Sequence, residues 1–144
     1  MRDIALELAV LLEGAGLGLV RPPAPGANLF TAPMPEADGD MPDRAVALMV
    51  TGGAGPQAYV GLRRAAYLTL AFQVRVRSAR EDFEGGQQCA LGVYSVLHCL
   101  SLVPYAIVRA EESAPIYLGI DGSDRPRWSL NFSIGCVLPV RSLV

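Results

Sequence analysis

The stretch AYLTLAFQVRVRS, residues 66–78, decides the fold class. Leucine, phenylalanine or valine stands at every second position, and tyrosine, threonine, alanine, glutamine and arginine stand between them. Strict alternation places one set of side chains on each face of a β-strand. Strands of a doubly wound parallel sheet are apolar on both faces, so a strand with one semi-polar face predicts an antiparallel or edge position.

A second long strand is predicted over residues 126–138, PRWSLNFSIGCVL, where the alternation continues from Trp128 to Leu138. The turn sequence Asp121-Gly122-Ser123-Asp124 separates it from a short apolar run at residues 115–119. Two such runs around a turn of this composition predict a β-hairpin. Further strands are expected at residues 44–51 and 105–111, with a short extended piece at residues 28–31.

Two segments have the apolar spacing of helices, residues 2–15 and residues 81–103, and Pro104 is expected to end the second. The predicted core face of the first helix consists of Ile4, Leu8, Leu11, Leu12 and Ala15. The order helix, strands, helix, strands predicts an α+β fold, with a single mainly antiparallel sheet and two main helices packed on one face. The length of 144 residues predicts one domain, residues 1–144.

The composition is typical of a chain that is a subunit of a larger assembly. Hydrophobic residues make up 51% and charged residues only 18%, below the usual quarter. The apolar surplus suggests surface that other subunits cover. A net charge of −2 provides no general attraction to nucleic acid or to an anionic membrane. All twelve basic residues are arginine, which excludes a P-loop lysine and a Schiff-base lysine.

The three cysteines, Cys89, Cys99 and Cys136, form neither a disulfide framework nor a zinc or redox motif. We expect all three to be buried thiols of a chain made in a reducing cytoplasm. The longest charge-free run, between Glu84 and Arg109, is interrupted by polar residues and a proline. Its apolar part falls short of the roughly 20 residues that span a bilayer, so we expect no membrane partner.

No catalytic constellation is visible in the sequence. His98, the only histidine, is expected to be a core or boundary residue rather than a catalytic base. Asp121 and Asp124 are explained by turn chemistry, since the other ligands of a calcium loop are missing. The glycines of residues 14–18 follow a helix rather than a strand, which argues against a dinucleotide site. We therefore predict no catalytic residue, no cofactor and no metal.

Three arginines, Arg75, Arg77 and Arg80, stand at the end of the clearest strand. One interpretation is a solvated edge that prevents sheet-to-sheet aggregation. The other is an electrostatic contact to a neighbouring subunit, because guanidinium groups pair well with carboxylates at interfaces. Leu6 and Val10 form a second apolar pair on the first helix, and they either pack under a neighbouring loop or contact a subunit.

The C-terminal stretch PIYLGID, residues 115–121, followed by Arg125, Trp128-Ser129 and Asn131-Phe132, carries a family resemblance. It resembles the tail terminator and minor capsid proteins of long-tailed bacteriophages. The upstream order of elements is similar to that group as well, including the proline-rich loop after the first helix. A gene transfer agent particle or a tailocin-like device would fit the same likeness.

The resemblance implies a structural virion protein that forms a homo-oligomeric ring, typically a hexamer. Such a ring caps the tail tube, ends its polymerisation and meets the head-completion or neck protein. It implies assembly in the bacterial host cytoplasm, no sequence-specific nucleic-acid binding and no catalytic residues. Another head–tail connector or minor capsid subunit is the alternative, followed by a small-ligand-binding module or an enzyme.

A cyclic ring needs two different surfaces that match head to tail. We expect Arg75, Arg77 or Arg80 to meet acidic residues of the adjacent subunit, such as Asp40 and Asp43 in the loop at residues 36–43. Leu6 and Val10 complete the set of candidate interface residues.

Overall fold

Two α-helices and one eight-stranded sheet make up the part of the chain that the computed structural model describes, residues 3–35, 42–58, 66–102 and 106–138. The helices are α1 (Ile4–Glu13) and α2 (Phe83–Leu97). The strands are β1 (Leu29–Phe30), β2 (Ala45–Gly53), β3 (Gln57–Ala58), β4 (Ala66–Arg77), β5 (Ser101–Leu102), β6 (Ala106–Ala110), β7 (Ile116–Ile120) and β8 (Pro126–Leu138). The α+β class predicted from the sequence is confirmed.

The two long alternating strands form the centre of the sheet, whose order is β1-β2-β4-β8-β6-β5. β4 and β8 pair antiparallel over their full length, from Ala66 opposite Leu138 to Arg77 opposite Arg127. β3 pairs with β4, and β7 pairs with β8 beside the turn that starts at Asp121. The predicted hairpin is confirmed. The sheet is mostly antiparallel, with one exception: β1 runs parallel to β2.

One hydrophobic core joins the alternating apolar residues of β2, β4 and β8 to both helices. Phe72 and Phe132 are cross-strand partners and stack with their ring centroids 5.1 Å apart. From the helices, α1 contributes Leu8 and Leu12, and α2 contributes Val93 and Leu97, among others. The alternation that predicted the strands thus also determines which of their residues are buried.

α1 begins at Asp3, whose carboxylate accepts a hydrogen bond from the Leu6 amide at 3.1 Å. A side-chain oxygen at this position satisfies one of the free amides of the first turn. The buried residues are Ile4, Leu8, Ala9 and Leu12. The prediction that Leu11 and Ala15 belong to the core face was wrong, because the buried stripe is narrow and the helix ends before residue 15.

α2 ends at Leu97, several residues before the predicted end at Pro104. Cys99 has a positive φ of 59°, which turns the chain out of the helix, and Ser101 and Leu102 then pair with β6. The prediction that all three cysteines are buried was wrong for Cys99, which this turn exposes; the other two are buried.

Gly86 lets α2 approach the sheet closely. A Cβ atom at this position would overlap the indole ring of Trp128 and the Cβ atom of Ser78. Gly92, two turns further along α2, would meet only a methyl group at the end of the Leu17 side chain. Across the described residues, neither helix is long and apolar enough to cross a membrane.

Candidate functional site

Arg77, the last residue of β4, makes hydrogen bonds within its own chain. Its side chain is only 3% exposed, although the alternation of β4 directs it away from the core. Its guanidinium donates hydrogen bonds to the carbonyl oxygens of Asp43 at 2.7 Å, Pro35 at 2.6 Å and Pro42 at 3.1 Å. These bonds offset part of the cost of burying the charge. Arg77 therefore fixes the two ends of the segment between residues 35 and 42. That it also contacts a neighbouring subunit stays a prediction.

Arg125, in the turn that precedes β8, contacts the same region of the chain. Its side chain is 8% exposed, and its Nε atom lies 2.9 Å from Asp121 Oδ2. Its Nη1 atom lies 3.4 Å from Asp43 Oδ1. Asp43, a predicted interface residue, is thus engaged by an arginine of its own chain while its side chain stays 54% exposed. Asp40 lies outside the described residues.

The Asp121 carboxylate is held ionised by this arrangement. Partial burial acts to raise its pKa, but the backbone amides of Arg125 and Ser123 and the Arg125 guanidinium outweigh that effect. The pKa of Asp121 therefore lies below its ordinary value. The two amides donate to Oδ1 at 3.0 and 2.8 Å, respectively. The carboxylate closes the turn, as the sequence predicted, and also orients a buried arginine.

A groove of about 370 Å³ opens beside these residues, at the ends of β4 and β8. We call it the arginine groove, because Arg75, Arg77, Arg125 and Arg127 are among the residues that line it. Its apolar residues include Met34, Met49 and Trp128. Among the described residues that line the groove, Asp121 is the only one with a carboxylate.

Two of the groove arginines occupy directly opposite positions on neighbouring strands of the sheet. Arg77 and Arg127 are directly opposite partners of β4 and β8, an arrangement that is electrostatically unfavourable for like charges. Arg127 donates to the Ile120 carbonyl oxygen at 3.2 Å, and its buried Nε atom has no hydrogen-bond partner. Arg75 is exposed, and its Nε atom donates to Gln73 at 3.0 Å. Arg75 and Arg127 thus place positive charge at the groove, beside the two arginines that are held by their own chain.

The remaining predicted interface residues lie apart from the groove lining. Arg80 is exposed and donates from Nε to the Ser123 carbonyl oxygen at 2.7 Å, in the turn between β7 and β8. Leu6 and Val10 are 43% and 48% exposed on α1, so neither packs under a neighbouring loop. That alternative for the apolar pair is wrong.

His98 does not line the arginine groove. It is exposed, stacks on Tyr94 with ring centroids 5.5 Å apart, and lies 3.2 Å from the Cys99 sulfur through Nε2. The prediction of a core or boundary histidine was wrong, because α2 ends at this residue. No group of three or more potential ligands among the described residues is placed to hold a metal ion.

A model of the family described as bacteriophage tail terminator protein matches residues 11–137. The chain belongs to this family. Tail terminators are structural proteins, and membership identifies the chain as a structural component of the phage tail and hence of the virion.

A solved structure shares the fold of this tail terminator. A chain in the virion of a native gene transfer agent particle aligns with a TM-score of 0.58 and 16% sequence identity. The alignment covers 96% of this chain and 100% of the other. At this identity the likeness shows a common fold. A search of curated proteins gives no match.

The sequence reasoning missed Arg125 and Arg127 as parts of the tail terminator's positive surface. That β4 and β8 form the centre of the sheet was predictable, but the register in which they pair was not. That register places Arg127 beside Arg77 and near Arg75. The alternation in residues 126–138 already placed Arg127 on the semi-polar face, and that was the available signal.

Proposed function

We propose that this chain forms a closed ring of identical copies, a hexamer, that caps the tail tube when the tube reaches its final length. The ring ends polymerisation of the tube protein and presents a surface for the head-completion or neck protein. The family match over residues 11–137 carries this proposal. Assembly takes place in the cytoplasm of the bacterial host.

The exposed apolar surface supports an assembled state. Large hydrophobic side chains are exposed on both sides of the molecule; they include Leu6 and Val10 on α1, Met49 on β2, and Tyr117 and Ile120 on β7. β7 is an edge strand with no charged residue in the sequence IYLGI. Natural edge strands that stay in water are usually protected by charges, bulges or a cover. Of these features β7 has a register irregularity between Tyr117 and Gly119 but no charge. In the proposed ring, neighbouring copies cover these exposed apolar side chains and the edge of β7.

The layered arrangement supports a ring with two different contact surfaces. In this proposal residues 1–144 form one tail-terminator-like domain, with both helices on one face of the sheet. The opposite face, which carries Gln73, Arg75 and Arg127, is then available to a neighbour. A cyclic ring needs two such unlike surfaces on opposite sides of each copy.

Deletion of the gene in a strain that produces the particles tests this function. Without a cap the tube protein continues to polymerise, so electron micrographs are expected to show tubes of irregular, excessive length that carry no heads. A plasmid copy of the gene restores uniform tails. Tails of normal length joined to heads in the deletion strain would contradict the proposal, and headless tails of normal length would favour a connector that acts only in joining.

A further inference from the structure

Two aromatic side chains are exposed side by side at the start of α2. Phe83, the first residue of α2, is 44% exposed, and Tyr117 of β7 is 47% exposed. Their ring centroids lie 5.1 Å apart in an edge-to-face contact, and the Phe83 ring also lies 5.2 Å from that of the buried Trp128. Exposed aromatic rings that are fixed by their neighbours are typical anchors at the centre of a protein interface.

Carboxylates without an ionic partner flank this aromatic pair. Glu81 and Glu84 are exposed, and neither forms an ion pair within the part of the chain that the structure describes. Asp82 differs from them, because its carboxylate caps α2. With Arg80 as the only basic residue, the segment at residues 80–84 has a net charge of −2. We use the name acidic patch for a set of four residues: Glu81, Phe83, Glu84 and Tyr117.

Two of the groove arginines carry positive charge that no carboxylate balances. Arg75 donates from Nε to a side-chain amide oxygen, and Arg127 donates from Nη2 to a backbone carbonyl oxygen. Neither is in an ion pair with another described residue. Arg77 and Arg125 are engaged within the chain, so the charge available to a partner is that of Arg75 and Arg127.

Arg75 is oriented by a row of hydrogen bonds that crosses the sheet. Gln73 accepts from Arg75 Nε at 3.0 Å and donates from Nε2 to Asn131 Oδ1 at 3.0 Å. Asn131 donates in turn to Glu112 Oε1 at 3.2 Å. The row fixes both amides and leaves the other N–H donors of the exposed guanidinium available. Less side-chain entropy is therefore lost when Arg75 binds a carboxylate.

The groove also has apolar residues that suit an aromatic anchor. Met34 and Met49 belong to its lining, and Met49 is 39% exposed. Methionine side chains adapt to the shape of a partner, and their sulfur atoms make favourable contacts with aromatic rings. The groove thus matches the acidic patch in both of its components, charge and aromatic surface.

The two surfaces lie at the same end of the sheet but on opposite faces. Trp128 contacts Phe83 and also belongs to the lining of the groove. Arg127 precedes Trp128 in β8, so its side chain projects from the other face of the strand. The copies of a closed ring are related by rotation without translation along the axis. Unlike surfaces at the same end of each copy can therefore meet head to tail.

We propose that the acidic patch of one copy docks in the arginine groove of the next copy. Phe83 contacts the methionines of the groove, and the carboxylates of Glu81 and Glu84 pair with Arg75 and Arg127. This contact rests on the proposed ring and specifies how its copies join.

Cysteine cross-linking tests the contact directly. In a Cys99→Ser background, chains with Gln87→Cys, at an exposed position one turn beyond Phe83, are mixed with chains that carry Met49→Cys and treated with a short bismaleimide. Cross-linked dimers are expected in the mixture and not with either chain alone. Ser95→Cys in place of Gln87→Cys is the matched control, because it is exposed on the same helix about 12 Å further along, and it is expected to give no product.

Charge reversal provides an independent readout of the same contact. Arg75→Glu and Glu84→Arg are each expected to raise the protein concentration needed for half-assembly by about tenfold or more, and their combination restores it. Arg109→Glu and Glu111→Arg, at exposed positions outside both surfaces, are the matched controls and leave that concentration unchanged. Circular dichroism checks that each variant folds. A variant that does not fold is replaced by its neutral form, Arg75→Gln or Glu84→Gln, with a smaller increase expected.

The outcomes separate this contact from the ring itself. Closed rings in native mass spectrometry for wild type, with unaltered assembly of the charge variants and no cross-links, overturn the contact and leave the ring intact. A wild-type chain that stays monomeric overturns both. Cross-links from Met49→Cys to an added tube protein, with none between copies, overturn the contact and assign the groove to that partner instead.

Discussion

Replacement of Arg77 by methionine tests whether the buried guanidinium stabilises the fold by fixing a loop. The substitution removes three hydrogen bonds to the carbonyl oxygens of Pro35, Pro42 and Asp43. Each bond from a charged donor contributes about 1.5–3 kcal/mol, but removal of the charge also removes its desolvation cost. We expect a net loss of about 2–4 kcal/mol in the free energy of unfolding.

Urea denaturation followed by circular dichroism measures this loss, and thermal unfolding provides a second readout. A loss of this size corresponds to a decrease of about 6–12 °C in Tm for a chain of this length. Arg77→Lys keeps the charge but not the planar fork, so an intermediate loss is expected. Arg109→Met removes an exposed arginine and serves as the control, within about 0.5 kcal/mol of wild type. Equal stabilities for Arg77→Met and Arg109→Met would refute the reasoning.

Further predictions concern packing, pH and thiol reactivity. Gly86→Ala is expected to destabilise the protein by about 1–3 kcal/mol, because the added methyl group overpacks against the sheet. Gly92→Ala is expected to be neutral or stabilising by up to about 1 kcal/mol. Denaturant unfolding that finds Gly92→Ala less stable than Gly86→Ala would contradict this packing. The lowered pKa of Asp121 stabilises the folded protein above the ordinary aspartate pKa of about 3.9, and this stabilisation is lost as the pH falls through the folded pKa. The difference in unfolding free energy between wild type and Asp121→Asn should therefore narrow below about pH 4. A difference that stays constant over this range would contradict the hydrogen bonds and ion pair described for Asp121. In the native protein a maleimide should label one thiol per chain, Cys99, and labelling of all three cysteines before denaturation would contradict the burial of the other two.

The sheet was predictable because its signal is local. Alternation over residues 66–78 and 126–138 reflects the two faces of β4 and β8, and the turn at Asp121 joins short-range partners. The end of α2 was not predictable in this way. The apolar sequence after Leu97 is compatible with a continued helix, and its actual course depends on the pairing of β5 with β6.

The arginine groove depends on contacts between distant parts of the chain. Arg77 and Arg75 occupy equivalent positions in the alternating pattern, yet one is buried and the other exposed. The difference arises from Pro35 and Pro42, which lie far from Arg77 in sequence. Periodicity assigns a residue to a face but does not reveal which loop covers that face.

In the proposed function, copies of this chain close into a ring at the end of a tail tube. Electron microscopy of the purified protein mixed with assembled tubes tests it most directly. We expect one closed ring at a single end of each tube, and no further tube growth when fresh tube protein is added. Unattached single copies beside tubes that continue to elongate would contradict it.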